Sequence, residues 1–149
     1  MSERRSHFGD FTLLEHEADI GLRCTGDCWE CAFSAGGTGL MDIMAEVSSI
    51  RPVEIRDIEL AGGDIGSLFV SWLNELLFLR DAEELLFSSF DVRIEPQKGG
   101  RYVLKATVSG EELSQERHGL KAEVKAATFS GLRFGEEDGR FFVQCLLDL

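Results

Sequence analysis

The stretch DIGSLFVSWLNELLFL, residues 64–79, is the clearest structural signal in the chain. Its apolar residues recur at the spacing of one face of an α-helix, and Asp64 stands before them as a natural N-cap. This apolar stripe consists of Ile65, Leu68, Phe69, Trp72, Leu73, Leu76 and Leu77. The pattern predicts an amphipathic helix with one face buried in the core.

A second helix is predicted upstream. It begins near Asp27 or Cys28 and runs to about Val47, with a buried stripe of Ala32, Phe33, Leu40, Met41, Met44 and Val47. Its middle contains Gly36, Gly37 and Gly39, and each glycine costs about 1 kcal/mol against alanine in a helix interior. Close packing or mobility must account for them.

The other segments have the composition and alternation of strands. The predicted strands cover residues 11–15, 18–24, 53–60, 85–95, 102–110, 122–134 and 140–149. Two helices that each bury one stripe against such strands predict an α+β fold. We expect a two-layer sandwich in which a mixed or antiparallel sheet carries both main helices on one face.

Length and composition set further limits. The 149 residues, 44% hydrophobic and 28% charged, fit one domain over residues 1–149, with residues 1–7 as a flexible N-terminus. The formal net charge of −12 argues against stable direct binding of nucleic acid and favours a basic protein or a cation as partner. Neither a secretory signal nor an apolar run long enough for a membrane is visible, so a cytoplasmic location is expected.

Three of the four cysteines, Cys24, Cys28 and Cys31, have CxxxCxxC spacing. This spacing can hold an iron–sulfur cluster on three thiolates, and a four-thiolate zinc site that includes Cys145 is a second alternative. Buried, inert thiols are the interpretation we favour, since free cysteine is among the most buried residue types. No iron–sulfur cluster is therefore expected.

Two aspartates lie in strongly apolar surroundings. Asp19 stands between Ala18 and Ile20, and Asp148 lies in a final strand that is apolar on both faces. An ionised carboxylate in such a strand needs a cation or several hydrogen-bond donors. If the first and last strands meet, oxygens from Asp19, Asp148 and Leu149 would suit Ca²⁺, Mg²⁺ or Mn²⁺. Aspartates that simply face water at strand ends are the alternative.

Three other residues could act near such a pair. Lys125 is a cation in KAEVKAATF, although a solvated ladder with Lys121 and Glu123 would also explain it. His16 and His118 are single histidines, for which turn or cap roles compete with metal ligation.

The motifs together resemble one known family. LLEHEADIG, CAFSAGGTGLMDIM, LFVSWLNELLFL, ERHGLKAEVKAATFSGL and VQCLLDL occur in the order and spacing typical of archeases, from about residue 8 onward. Archeases are small cytosolic protein cofactors of the GTP-dependent RNA ligase that seals tRNA exons and repairs RNA. The resemblance implies a non-catalytic activator that promotes guanylylation and multiple turnover of the ligase and can broaden its nucleotide specificity.

The resemblance also implies which residues form the site. A divalent metal, Ca²⁺ before Mg²⁺ or Mn²⁺, would be held by Asp19, Asp148 and Leu149, and Lys125 would take part in activation. His16, Glu17 and His118 are candidates for contact with the partner. Glu17 departs from the family's usual threonine or serine and adds a carboxylate beside the site.

The sequence leaves two other functions open. One is a chaperone or specificity modulator of other RNA-modifying enzymes, such as tRNA methyltransferases. The other is an independent metal-dependent hydrolase that uses the same acids.

Overall fold

The computed structural model describes residues 9–15 and 18–149. The expected flexible segment 1–7 and the predicted turn at His16 and Glu17 lie outside the described residues. Eight strands, three α-helices and two short 3₁₀ turns follow one another in the described part of the chain. They are β1 (Asp10–Glu15), β2 (Asp19–Gly26), α1 (Trp29–Met44), a 3₁₀ turn (Val47–Ser49), β3 (Glu54–Gly62), α2 (Ile65–Glu83), β4 (Leu85–Pro96), a 3₁₀ turn (Lys98–Gly100), β5 (Tyr102–Glu112), α3 (Gln115–His118), β6 (Ala126–Ala127), β7 (Arg133–Glu137) and β8 (Arg140–Asp148).

The strands form two antiparallel sheets. One sheet has the order β1-β2-β8-β6, with β7 also paired to β8, and the other has the order β3-β5-β4. The α+β class and the antiparallel pairing are confirmed, but the strands divide between two sheets where a single sheet was expected. Both long helices contact strands of both sheets, so the core lies where the helices meet the sheets.

The predicted helix over residues 64–79 is α2. The Asp64 carboxylate accepts a hydrogen bond from the Ser67 amide at 2.7 Å, which caps the helix as predicted. All seven residues of the predicted stripe are buried. Trp72 is fully buried, and its indole N–H donates to the Phe33 carbonyl at 2.8 Å, which links α2 to α1.

The glycines of α1 are explained by close packing. A Cβ atom on Gly36 would lie 2.6 Å from Cε1 of Phe69, and one on Gly37 would lie 2.7 Å from Cδ1 of Phe90. Both distances are well inside van der Waals contact. Phe69 belongs to α2 and Phe90 to β4, so the missing side chains let a helix and a strand approach α1.

The predicted strand over residues 122–134 is wrong in its extent. Only Ala126–Ala127 and Arg133–Glu137 form strands in this region. The Lys121 and Ala122 amides instead donate to the Met44 and Ile43 carbonyls at the end of α1. These amides satisfy helix-terminal carbonyls and are therefore not available to a sheet. Buried and exposed side chains still alternate here without strand pairing. Val124 is buried, whereas Lys121, Glu123 and Lys125 are exposed.

No helix in the described ranges combines the length and the apolar character needed to cross a membrane.

Candidate metal site

The two aspartates meet because β2 and β8 are antiparallel neighbours. β2 begins at Asp19 and β8 ends at Asp148, and in the register of this pair Asp19 lies directly opposite Asp148. Directly opposed residues point to the same face, with Cβ atoms about 5 Å apart. The sequence could not bring positions 19 and 148 together, but the strand register does.

One oxygen of the Asp19 carboxylate is in an unusual environment. Asp19 is half-buried, and its Oδ1 atom is shielded from solvent without a hydrogen-bond partner among the described residues. Buried polar atoms without partners are uncommon in folded proteins, and each needs an explanation. A cation next to Oδ1 would supply one, because it offsets the loss of hydration of the carboxylate.

Backbone hydrogen bonds tie the end of β8 to its neighbours. The Asp148 carbonyl accepts a hydrogen bond from the Lys125 amide at 2.8 Å, and the Leu149 amide donates to the Ala18 carbonyl at 3.4 Å. Asp148 itself is exposed. The structure therefore brings four sequence-predicted residues to one end of the sheet: Asp19, Lys125, Asp148 and Leu149.

The donor set fits a hard cation in part. Two carboxylates and the oxygens of Leu149 are the ligand type that Ca²⁺ or Mg²⁺ prefers. In the part of the chain that the structure describes, no three His, Cys, Asp or Glu side chains are grouped so that they could hold a metal. Because Ca²⁺ takes six to eight oxygens, water or a partner would have to complete its coordination here.

Lys125 is a basic residue whose backbone lies next to Asp148. It is exposed, and its backbone is tied to Asp148 through the hydrogen bond described above. No ion pair of its ammonium group is found within residues 9–15 and 18–149. The exposed side chain is therefore accessible from outside this chain.

Side chains of α2 hold the segment that carries Lys125. The Asn74 amide donates to the Ala127 carbonyl at 3.0 Å and accepts from the Ala127 amide at 2.8 Å. The Arg80 guanidinium donates to the Val124 carbonyl at 2.8 Å. Neither residue was predicted to belong to the site. The available signal was Asn74 itself, because asparagine is a poor helix former in a helix interior.

The remaining predicted site residues lie elsewhere. His16 and Glu17 are outside the described residues. His118 is fully buried and thus presents no surface to a partner. Its Nδ1 accepts from the Ser114 amide at 2.9 Å, so in the neutral ring Nε2 carries the proton. That nitrogen donates to Glu111 at 2.8 Å, and the cap role considered for His118 is the one observed.

Glu111 is the centre of a buried polar network. Its side chain is 6% exposed and pairs with Arg51, Arg117 and His118. Hydrogen bonds from Arg117, His118 and Arg51 hold the pKa of the Glu111 carboxyl well below its usual range. The network joins β5 to α3 and is separate from the aspartate pair.

The burial predicted for the cysteines is confirmed for Cys24, Cys31 and Cys145, while Cys28 is half-buried. Cys28 is the N-cap of α1, and its sulfur accepts from the Cys31 amide at 3.1 Å. Burial raises the pKa of the Cys28 and Cys145 thiols to about 12. It also raises the pKa of Cys24, with a smaller effect from Cys145. Thiols of this kind remain protonated near neutral pH.

Comparison with known proteins identifies the family. The archease protein family matches residues 11–149. The chain belongs to the archease family. The archease of Pyrococcus furiosus is 44% identical over 137 residues, which cover 91% of this chain and 95% of that protein. The archease of Methanothermobacter thermautotrophicus is 35% identical over 139 residues, which cover 93% of this chain and 98% of that protein.

Solved structures agree with this assignment. The solution structure of protein 1598 from Methanobacterium thermoautotrophicum superposes with a TM-score of 0.82 at 34% identity, covering 93% of this archease and 98% of that chain. A crystal structure from Thermotoga maritima, described as an archease and possible chaperone, superposes with a TM-score of 0.57 at 17% identity. The match covers 91% of this chain and 94% of that chain. The second likeness concerns the fold alone.

Proposed function

We propose that this archease is a protein cofactor that activates a GTP-dependent RNA ligase of tRNA splicing or RNA repair. It promotes guanylylation and multiple turnover of the ligase and broadens the nucleotides that the ligase accepts. It does not join RNA itself. The observation that carries the proposal is the pairing of Asp19 with Asp148, in which one buried oxygen of Asp19 has no hydrogen-bond partner among the residues that the structure describes.

The residues of the site have distinct roles in this proposal. Asp19, Asp148 and Leu149 hold a divalent ion, with Ca²⁺ the first candidate and Mg²⁺ or Mn²⁺ the others. When bound, the ion supplies a concentrated positive charge at a surface that otherwise carries two carboxylates. Lys125 extends from the same place and contacts a phosphate or an acidic group at the ligase active site.

The overall charge supports a protein partner of opposite sign. The formal net charge is −12, whereas a ligase that grips RNA needs a cationic cleft to bind the phosphate backbone. Complementary potentials speed encounter and fix orientation. The same charge is unfavourable for stable binding of this archease to RNA, so the ligase is the expected contact.

The test is guanylylation and turnover of the cognate ligase with and without this protein, in both Mn²⁺ and Mg²⁺. The wild-type chain should stimulate both reactions. Asp19→Ala should abolish the stimulation while leaving the fold intact by circular dichroism. Asp91→Asn removes an exposed acid from β4, in the other sheet, and is the matched control. Full stimulation by Asp19→Ala would refute the proposed role of the site.

Two other outcomes would point to a different function. Hydrolysis of RNA or nucleotides by the protein alone, in the presence of divalent ions, would indicate an independent enzyme. Stimulation of a tRNA methyltransferase, with no effect on the ligase, would indicate the broader modulator role.

A further inference from the structure

Lys125 lies on a segment that has little sheet pairing of its own. β6 is only Ala126–Ala127, and its partners in β8 are Asp148 and Leu147. It is also an outer strand of its sheet. A two-residue outer strand gains few ladder hydrogen bonds and would be poorly ordered without further support.

Asn74 provides support on the side of β6 that faces away from β8. Its side-chain amide makes two hydrogen bonds to Ala127, one to the carbonyl and one from the amide N–H. This is the pattern that a residue of a neighbouring strand would make. Asn74 therefore takes the place of a strand partner for Ala127, which accounts for an asparagine in the middle of α2 despite its helix propensity.

Arg80 fixes the other end of the same segment. Its guanidinium donates to the Val124 carbonyl at 2.8 Å and contacts the Met44 sulfur at 2.9 Å. The Arg80 side chain is only 10% exposed, and its Nε also pairs with Asp81. A largely buried guanidinium with several partners is a rigid support, because its planar donor geometry is pre-organised.

The two contacts bracket Lys125. Val124 is held by Arg80, Ala127 is held by Asn74, and the Lys125 amide between them donates to the Asp148 carbonyl. We propose that Asn74 and Arg80 are positioning residues, which hold segment 124–127 so that Lys125 and Asp148 stay side by side. This inference rests on the proposed function, since it assigns both residues to the site formed by Asp19, Asp148 and Lys125.

Amide hydrogen exchange on the isolated protein tests the inference without a metal or a ligase. Asn74→Ala removes two hydrogen bonds, each worth about 1 kcal/mol, so exchange at Lys125 and Ala127 should accelerate roughly 10- to 30-fold. Arg80→Met keeps the aliphatic stem but loses the donor, and should accelerate exchange at Lys125 more than at Ala127. Amides of Cys24 and Cys145, in the centre of β2 and β8, should be unaffected.

Ser34→Ala is the matched control. The Ser34 hydroxyl donates to the Phe90 carbonyl at 3.2 Å, so this variant also loses a hydrogen bond from a helix side chain to a backbone carbonyl. That bond joins α1 to β4, away from segment 124–127. The control should lower the melting temperature and leave exchange at Lys125 and Ala127 unchanged.

Calcium binding provides a readout that a purely structural role would not move. Groups that hydrogen-bond to metal ligands typically contribute 10- to 100-fold to affinity, and Asn74 acts through one further contact, so the lower end of that range applies. Asn74→Ala should therefore weaken Ca²⁺ binding by about tenfold in isothermal titration calorimetry, whereas Ser34→Ala should bind Ca²⁺ like the wild type. Stimulation of ligase guanylylation should fall in parallel with affinity.

The outcomes separate this inference from the proposed function. Unchanged exchange at Lys125 and Ala127 in Asn74→Ala would overturn the inference, whatever the ligase does. Faster exchange with unchanged Ca²⁺ affinity and unchanged stimulation would also overturn it, since the segment would then not serve the site. If the wild-type protein bound no Ca²⁺, the metal part of the proposed function would fail, and local acceleration of exchange would still support the positioning role.

Discussion

Replacing Asp19 with asparagine should make the protein more stable than the wild type without calcium and less stable than the wild type with calcium. Asp19 and Asp148 lie directly opposite each other, and opposed Cβ atoms are about 5 Å apart. Two unit charges at about 5 Å repel by about 1 kcal/mol in water and about 3 kcal/mol at an effective dielectric constant of 20. Because Asp148 is exposed, the lower figure applies.

Without metal, Asp19→Asn removes this repulsion and should stabilise the fold by about 1 kcal/mol. For a chain of 149 residues, that corresponds to an increase in Tm of about 3 °C. With Ca²⁺ at 100 times its Kd, the wild-type protein should gain about 2.7 kcal/mol. The variant should lose most of that gain, since asparagine keeps one neutral oxygen where the carboxylate had two charged ones.

The assay is thermal unfolding followed by circular dichroism, in EDTA and in Ca²⁺, with Asp91→Asn as the control. The control should stay within about 0.5 kcal/mol of the wild type and should keep the full calcium shift. A lower Tm for Asp19→Asn in EDTA would show that the two carboxylates do not repel in the folded state. An unchanged calcium shift would show that Asp19 is not a ligand, and either result would refute the reasoning.

Three further predictions concern the rest of the fold. The pKa of Glu111 is lowered in the folded state, so its contribution to stability is present above the unfolded value of about 4.3 and disappears as the pH falls through the folded value. Glu111→Gln should therefore reduce the loss of unfolding free energy as the pH falls, measured by urea titrations at several acid pH values. An unchanged pH dependence would contradict this. Gly36→Ala should destabilise by about 1–2 kcal/mol, because overpacking against Phe69 outweighs the helix-propensity gain; chemical denaturation measures this, and a gain in stability would be inconsistent with the packing. Cys28→Ser should stabilise α1 by about 0.5–1 kcal/mol, since serine is a preferred N-cap, and a lower Tm would show that the sulfur is better accommodated than a hydroxyl.

The helices were largely predictable because their signals are local. Asp64 and the stripe after it predicted α2, and the cap and the buried face are those observed. The predicted start of α1 at Asp27 or Cys28 agrees with the observed N-cap at Cys28, while its end at Met44 precedes the predicted Val47. The glycines left two explanations open, because only the positions of Phe69 and Phe90 could decide between packing and mobility.

Strand pairing was less predictable. Residues 122–134 alternate as a strand does, yet Lys121 and Ala122 donate to α1, and Val124 is held by Arg80. Periodicity reports which side chains face the core, but it does not report where the backbone hydrogen bonds go. The division of the strands between two sheets was invisible in the sequence for the same reason.

The sequence alone identified Asp19 and Asp148 as acids in apolar surroundings and, through its motifs, the family to which the chain belongs. Tertiary structure decided that these acids face each other and that Lys125 is tied to Asp148. It also showed that His118 is buried and that Asn74 and Arg80 hold segment 124–127. The physical reason is distance along the chain. Helix periodicity and capping depend on neighbours within a few residues, whereas the contact of residue 19 with residue 148 depends on how β2 and β8 come to pair.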